Sequence, residues 1–175
     1  MKHITQALAV FILITCGTLF AQETFPQPIS PVHQMNLSGP RMGFTILTGQ
    51  AARTMEDEYD LIPVITQFGW QSEVRFFSVA DGPTGLMEFV GLIGGVEQEM
   101  FLPSLSWLAG VRMPDGREFG VGPNISVTGT AYVIAGGFTR SYGAMNFPIN
   151  YSILLSKTGA RLSLLVGFNA VANKL

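Results

Sequence analysis

From Leu37 to Asn169 the chain alternates between large apolar side chains and small or polar ones, in eight stretches separated by turn residues. Successive side chains of an extended strand point to opposite faces, so a period of two predicts strands that are apolar on one side and polar on the other. The expectation is an all-β fold: an eight-stranded antiparallel up-and-down β-barrel over 36–175, with the apolar face outward. Each stretch is long enough to cross a bilayer when tilted, for which about 9–11 residues suffice.

The first strand reads over Leu37–Thr48, with Met42, Phe44 and Ile46 on one face and Arg41, Gly43 and Thr45 on the other. The second starts at Ile62 or Thr66 and ends at Ser78. It sets Phe68, Trp70, Val74 and Phe76 against Gln67, Gly69, Gln71, Glu73 and Arg75. In the third, Gly85–Val96, Leu86, Val90 and Leu92 share the face of Glu88 and blur the pattern. Strands over Phe101–Arg112, Glu118–Thr128, Thr130–Ser141, Met145–Leu155 and Ala160–Asn169 complete the set. Asp81-Gly82-Pro83, Pro114-Asp115-Gly116 and Lys157-Thr158-Gly159 read as turns. Pro40 and Pro123 cannot donate to a ladder and are expected at bulges or strand ends. The one long connection, Gly49–Leu61, carries Glu56, Asp57, Glu58 and Asp60, and its Gln50–Met55 start suits a short helical turn.

Ahead of the barrel, Met1–Ala21 has the parts of a secretory signal: Lys2 and His3, an apolar run, and Ala21 before the expected cut. An uncleaved anchor is the alternative, but Cys16 and Gly17 break a run already short for a span. Lipidation at Cys16 is a second alternative, against which stands Thr15, larger than the residue usual there. Residues 22–35 form a linker held extended by Pro26, Pro28 and Pro31.

Which face looks out decides function. In a soluble lipocalin-like barrel the apolar face, including Phe68, Trp70, Trp107 and Phe119, lines a cavity and the polar face meets water. In a membrane barrel the apolar face meets lipid. The polar face is built from Gly, Ser, Thr, Asn and Gln with few charges, and beyond the signal only Lys157 and Lys174 remain as lysines. Water-facing strands usually carry protective lysine, and the mean hydropathy of +0.35 is high for a soluble sheet protein. The charges on the polar face come in both signs: Arg41, Glu73, Arg75, Glu88, Arg112, Glu118 and Arg161. Paired inside a barrel they offset one another's desolvation. Phe68, Trp70, Phe101, Trp107, Tyr132, Phe147 and Tyr151 are then candidates for the aromatics of the membrane interface.

Little points to chemistry. The only cysteine lies in the signal and the only later histidine, His33, in the linker, so neither a thiol nucleophile nor a Ser–His pair is expected in the barrel. No catalytic residue, metal ligand or cofactor is assigned. Glu56, Asp57, Glu58 and Asp60 match no calcium-loop spacing and read as a solvated turn. Gly91-Leu92-Ile93-Gly94-Gly95 lacks the Lys-Ser/Thr pair of a phosphate loop. A proton or ion path along the buried Glu and Arg residues is weighed against plain structural pairing, which is the reading adopted. With a net charge of -2 there is no basic footprint for nucleic acid.

This pattern of eight alternating strands behind an export signal resembles the small eight-stranded outer-membrane β-barrel proteins of Gram-negative bacteria. Residues Pro63-Val64-Ile65-Thr66-Gln67-Phe68-Gly69-Trp70-Gln71 look like segments of exported bacterial proteins, with no activity attached. The resemblance implies an outer-membrane location in the cell envelope, the lipid bilayer as partner, and a non-enzymatic structural or surface-interaction role, with the long loop as contact site. A soluble exported barrel that binds an apolar ligand is the alternative. An open diffusion channel is not expected, because side chains fill an eight-stranded interior.

Overall fold

A computed structural model describes residues 36–170. The signal, the linker, Cys16, His33 and Lys174 lie outside them. The order of elements is β1 (Gly39–Leu47), α1 (Gly49–Tyr59), β2 (Val64–Ser78), β3 (Thr84–Gly94), a 3₁₀ turn (Val96–Gln98), β4 (Leu102–Arg112), β5 (Arg117–Ser126), β6 (Gly129–Tyr142), β7 (Met145–Ser156), β8 (Gly159–Gly167) and β9 (Asn169–Ala170). Every strand from β1 to β8 pairs antiparallel with its sequence neighbours, and β8 returns to β1, closing an up-and-down barrel of eight strands. The two-residue β9 pairs with β7 outside that ring.

Followed once around, the registers close with a stagger of about ten residues, which tilts the strands by about 40°. Interior glycines let the strands coil this tightly. A Cβ on Gly43 would stand 1.9 Å from the carbonyl oxygen of Leu164, and one on Gly122 would stand 1.9 Å from that of Trp107. Pro40 sits near the start of β1, as expected. Pro123 marks no bulge: it interrupts the β4–β5 ladder without shifting the register, since Ser106 opposite Asn124 and Ala109 opposite Val121 stay in step. The shift among the described strands is in β2, between Arg75 and Phe77.

The two ends of the barrel differ. At one, short turns join β2 to β3, β4 to β5 and β6 to β7, and the chain enters β1 and leaves β8; this is the turn end. The other carries the two longer connections, and here the Gly49–Leu61 segment forms a full helix rather than a single turn. The Ala51 amide donates to the Thr158 carbonyl (3.0 Å) and the Thr48 amide to the Ala160 carbonyl (3.0 Å), which ties the helix start to the β7–β8 hairpin. That seam depends on Gly159: its φ of +133°, and the 2.1 Å at which a Cβ there would stand from the Thr48 oxygen, exclude any side chain. Glu56, Asp57 and Glu58 are exposed on the helix and Asp60 at its C-cap, while Met55 is buried on its inner side.

Outward positions on all eight strands are mainly apolar, with Thr66, Ser72 and Thr130 as hydroxyl-bearing exceptions. Met42, Phe44, Trp70, Phe89, Trp107, Val121, Ile134, Ile153, Leu164 and Val166 are among the large side chains left exposed. The charged residues at outward strand positions, Arg117 and Arg140, stand at the turn-end rim. The residues that would line a pocket in the soluble arrangement face outward instead, with Phe68, Trp70, Trp107 and Phe119 all about half exposed.

Candidate functional site: the barrel interior

Near the turn end the interior holds a cluster of ionic side chains. Arg41 comes from β1, Gln71 and Glu73 from β2, Glu88 from β3, Arg112 from β4 and Glu118 from β5. All project inward because they share the inward parity of their strands. Arg112 and Arg41 are each only 1 % exposed. The Arg112 guanidinium donates through Nη1 to Glu73 Oε1 (2.9 Å) and through Nε to Glu118 Oε1 (2.7 Å), with Nη2 also on Glu73. Arg41 uses its donors differently: Nε to Gln71 Oε1 (3.0 Å), and Nη2 to the Leu37 carbonyl (2.7 Å). Gln71 then passes a hydrogen bond from Nε2 to Glu88 Oε1 (2.7 Å). Below the cluster Leu37 is fully buried and the Glu73 amide donates to Ser38 Oγ (2.9 Å), so the start of the described chain stoppers the turn end.

Towards the helix end the interior changes character. Val90, Leu108, Ala131, Val133 and Leu154 form an apolar cluster, with Leu92 and Ala135 packed against it. The interior is therefore not the uniformly polar space expected from sequence. Nor do side chains fill it. A cavity of about 400 Å³ lies between the ionic floor and the helix, bordered by Gln71 and Glu88 below and by Ala51, Thr54 and Met55 above. Small inward residues on neighbouring strands, among them Ser104, Ser106, Ala135, Ser152 and Ser163, leave this room.

Of the seven ionic residues assigned to the interior, five meet in the floor. Arg161 is inside the barrel but at the helix end, opposite Leu47, whereas Arg41 is opposite Gly167. Its guanidinium donates to Ser126 Oγ (3.4 Å) and to Thr128 Oγ1, and its Nε is buried without an acceptor. Arg75 keeps the inward parity of β2, opposite buried Leu86, but stands at the turn-end rim, where it is exposed and the register shifts immediately after it.

The seven candidate interface aromatics are all exposed, but they do not gather into two rings. Trp70, Trp107 and Tyr151 sit near the middle of β2, β4 and β7, and Phe68 lies two residues from Trp70. Trp107 stacks on its cross-strand neighbour Phe89 at 5.4 Å between ring centres. Phe101 and Tyr132 lie toward the helix end and Phe147 toward the turn end. A denser belt at the turn end combines Phe147 with Phe76, Phe77, Phe138, Tyr142 and Phe168, all exposed. Strand-by-strand reading missed it because vertical level depends on the stagger between strands, which pairing alone defines.

Among the described residues no cluster of His, Cys, Asp or Glu is placed to hold a metal ion. Compared with family models, curated proteins and solved structures, the chain matches none.

Proposed function

We propose that this chain is an integral outer-membrane β-barrel, inserted with its apolar outer face against lipid, and that its role is structural or interactive rather than enzymatic. The observation that carries this reading is the inversion of the usual order: Arg41, Glu73, Glu88, Arg112 and Glu118 are enclosed inside while bulky apolar side chains stand on the outside of every strand and outward charges keep to the rim. Water rarely faces so continuous an apolar surface on a monomeric soluble protein, where patches beyond about 300–600 Å² are unusual. The strand lengths and the turn-end aromatic belt also suit a bilayer. The closed ring leaves no backbone edge to satisfy in hydrocarbon. The soluble alternative keeps one supporting observation, the cavity, which a ligand could fill whatever covers the outside.

Fractionation tests the reading. A membrane barrel is recovered in detergent-extracted outer membranes and runs at a shifted position on an unboiled gel. Recovery in the detergent-free soluble fraction overturns it. A charge at mid-barrel separates the two cases further. Val121→Arg on the exposed face of β5 should cost about 2–4 kcal/mol for folding into phosphatidylcholine vesicles if hydrocarbon surrounds it. On a water-covered surface the same change should stay within about 0.5 kcal/mol.

A further inference from the structure

Arg161 is the interior cation that the floor does not serve. Its register places it six residues along the sheet from the level of Arg41, or about 20 Å at the rise of a strand. Its hydrogen-bond partners are the neutral hydroxyls of Ser126 and Thr128, and no carboxylate among the described residues forms an ion pair with it. Arg161 is half-buried at the helix-end mouth, and its Nε, turned inward, has no acceptor and is poorly compensated. It borders the same cavity whose walls are Val90, Leu92, Leu108, Val133, Leu154 and Leu165. The hydroxyls of Thr45 and Ser163, 2.6 Å apart, stand on the same side.

The cations of the floor are already committed. Glu73, Glu88 and Glu118 face Arg41 and Arg112, and Glu88 accepts from the Gln71 amide rather than from an arginine. An anion in the chamber thus finds an uncommitted guanidinium donor at Arg161 and not at the floor. From this difference we infer that the chamber binds a single-chain amphiphile with an anionic head, its carboxylate at Arg161 and its hydrocarbon tail between the apolar walls. The 400 Å³ of space holds about a dozen non-hydrogen atoms at about 30 Å³ each, the size of decanoate. Entry is at the helix end, past Thr54 and Met55. The inference does not rest on the membrane reading, because the chamber faces inward whatever covers the outer wall.

The test is titration of the full chain with decanoate, decanol and decylamine, followed through the methyl resonances of Val133, Leu154 and Leu165. The protein is held in phosphatidylcholine nanodiscs if membrane-bound, and in buffer if soluble. Decanoate should shift these methyls saturably, and Arg161→Gln should weaken it at least tenfold while leaving decanol unchanged. Ala135→Phe, which fills the chamber, should abolish the shifts while the unboiled gel position, or in buffer the strand signature in circular dichroism, shows an intact barrel. Absence of saturable shifts in the wild type, equal decanoate affinity in Arg161→Gln, or preference for decylamine overturns the inference.

Discussion

The two halves of the barrel interior are built on the same strands and the same parity, yet they are opposites. At the turn end six polar side chains from five strands fill the lumen and are tied together by hydrogen bonds. At the helix end β3, β4, β6 and β7 contribute aliphatic side chains that surround space. The difference teaches that closing eight strands does not by itself fill the lumen. Long side chains reaching across the axis do so at the floor; valine, alanine and serine stop short of it above. The floor is rigid because each member holds another, whereas the chamber is held open by the wall.

The largest expected effect breaks the floor. Arg112→Leu leaves Glu73 and Glu118 buried without their cation and should cost about 3–5 kcal/mol, read from urea-induced unfolding in lipid vesicles. Removing the whole group together (Arg112→Met, Glu73→Leu and Glu118→Leu) should recover most of that loss. If the single and triple variants are equally unstable, the floor is not a mutually dependent cluster.

Next comes a direct contrast in room to spare. At the floor, Gly167→Ala would bring a Cβ to 2.5 Å from Arg41 Nη1 and 2.6 Å from the Pro40 oxygen, an overpacking expected to cost about 1–3 kcal/mol. In the chamber, Ala135→Phe adds far more volume and should change stability by less than about 1 kcal/mol, because the space already exists. The same unfolding curves compare them, and a reversed order would mean that the cavity collapses in solution.

A smaller and more local effect concerns the lid. Met55→Ala removes the buried anchor of α1 and should speed amide exchange over 49–59 about tenfold while the strands keep their protection. Uniform loss of protection would show instead that the helix is part of the barrel's cooperative unit. The smallest lies at the helix-end rim, where Glu97 accepts from the Thr66 amide (2.7 Å) and hydroxyl. Slight desolvation opposes ionisation, but these hydrogen bonds outweigh it and hold the Glu97 carboxyl below its usual pKa. The contact should be fully made above the ordinary carboxylate range and fade as pH falls through the lowered value. Amide exchange at Thr66 measures it, and Glu97→Gln should remove the pH dependence.

Much of this was legible in the chain. Runs such as Phe119-Gly120-Val121-Gly122-Pro123-Asn124-Ile125 fix both the strand and its two faces, because a strand has only one periodicity to offer. The inward ionic residues were legible for the same reason: Arg41, Glu73, Glu88, Arg112 and Glu118 stand opposite their strands' apolar residues. Leu86, Val90 and Leu92 blurred β3 because they face the interior, and an outward apolar face and an inward apolar wall cannot be told apart by composition. The helix was half visible in Gln50–Met55, but its seat over the mouth depends on Gly159 and Thr158, more than a hundred residues away.

Sequence alone thus determined how many strands form the ring, where they turn and which side chains share a side, since all three follow from local alternation and turn residues. Only the tertiary structure decided who meets whom. The stagger between strands sets the level of each residue along the axis, and that level separates Arg161 from Arg41, gathers the aromatic belt at one rim and opens a chamber under the helix. Register belongs to pairs of strands, so no single stretch of chain contains it.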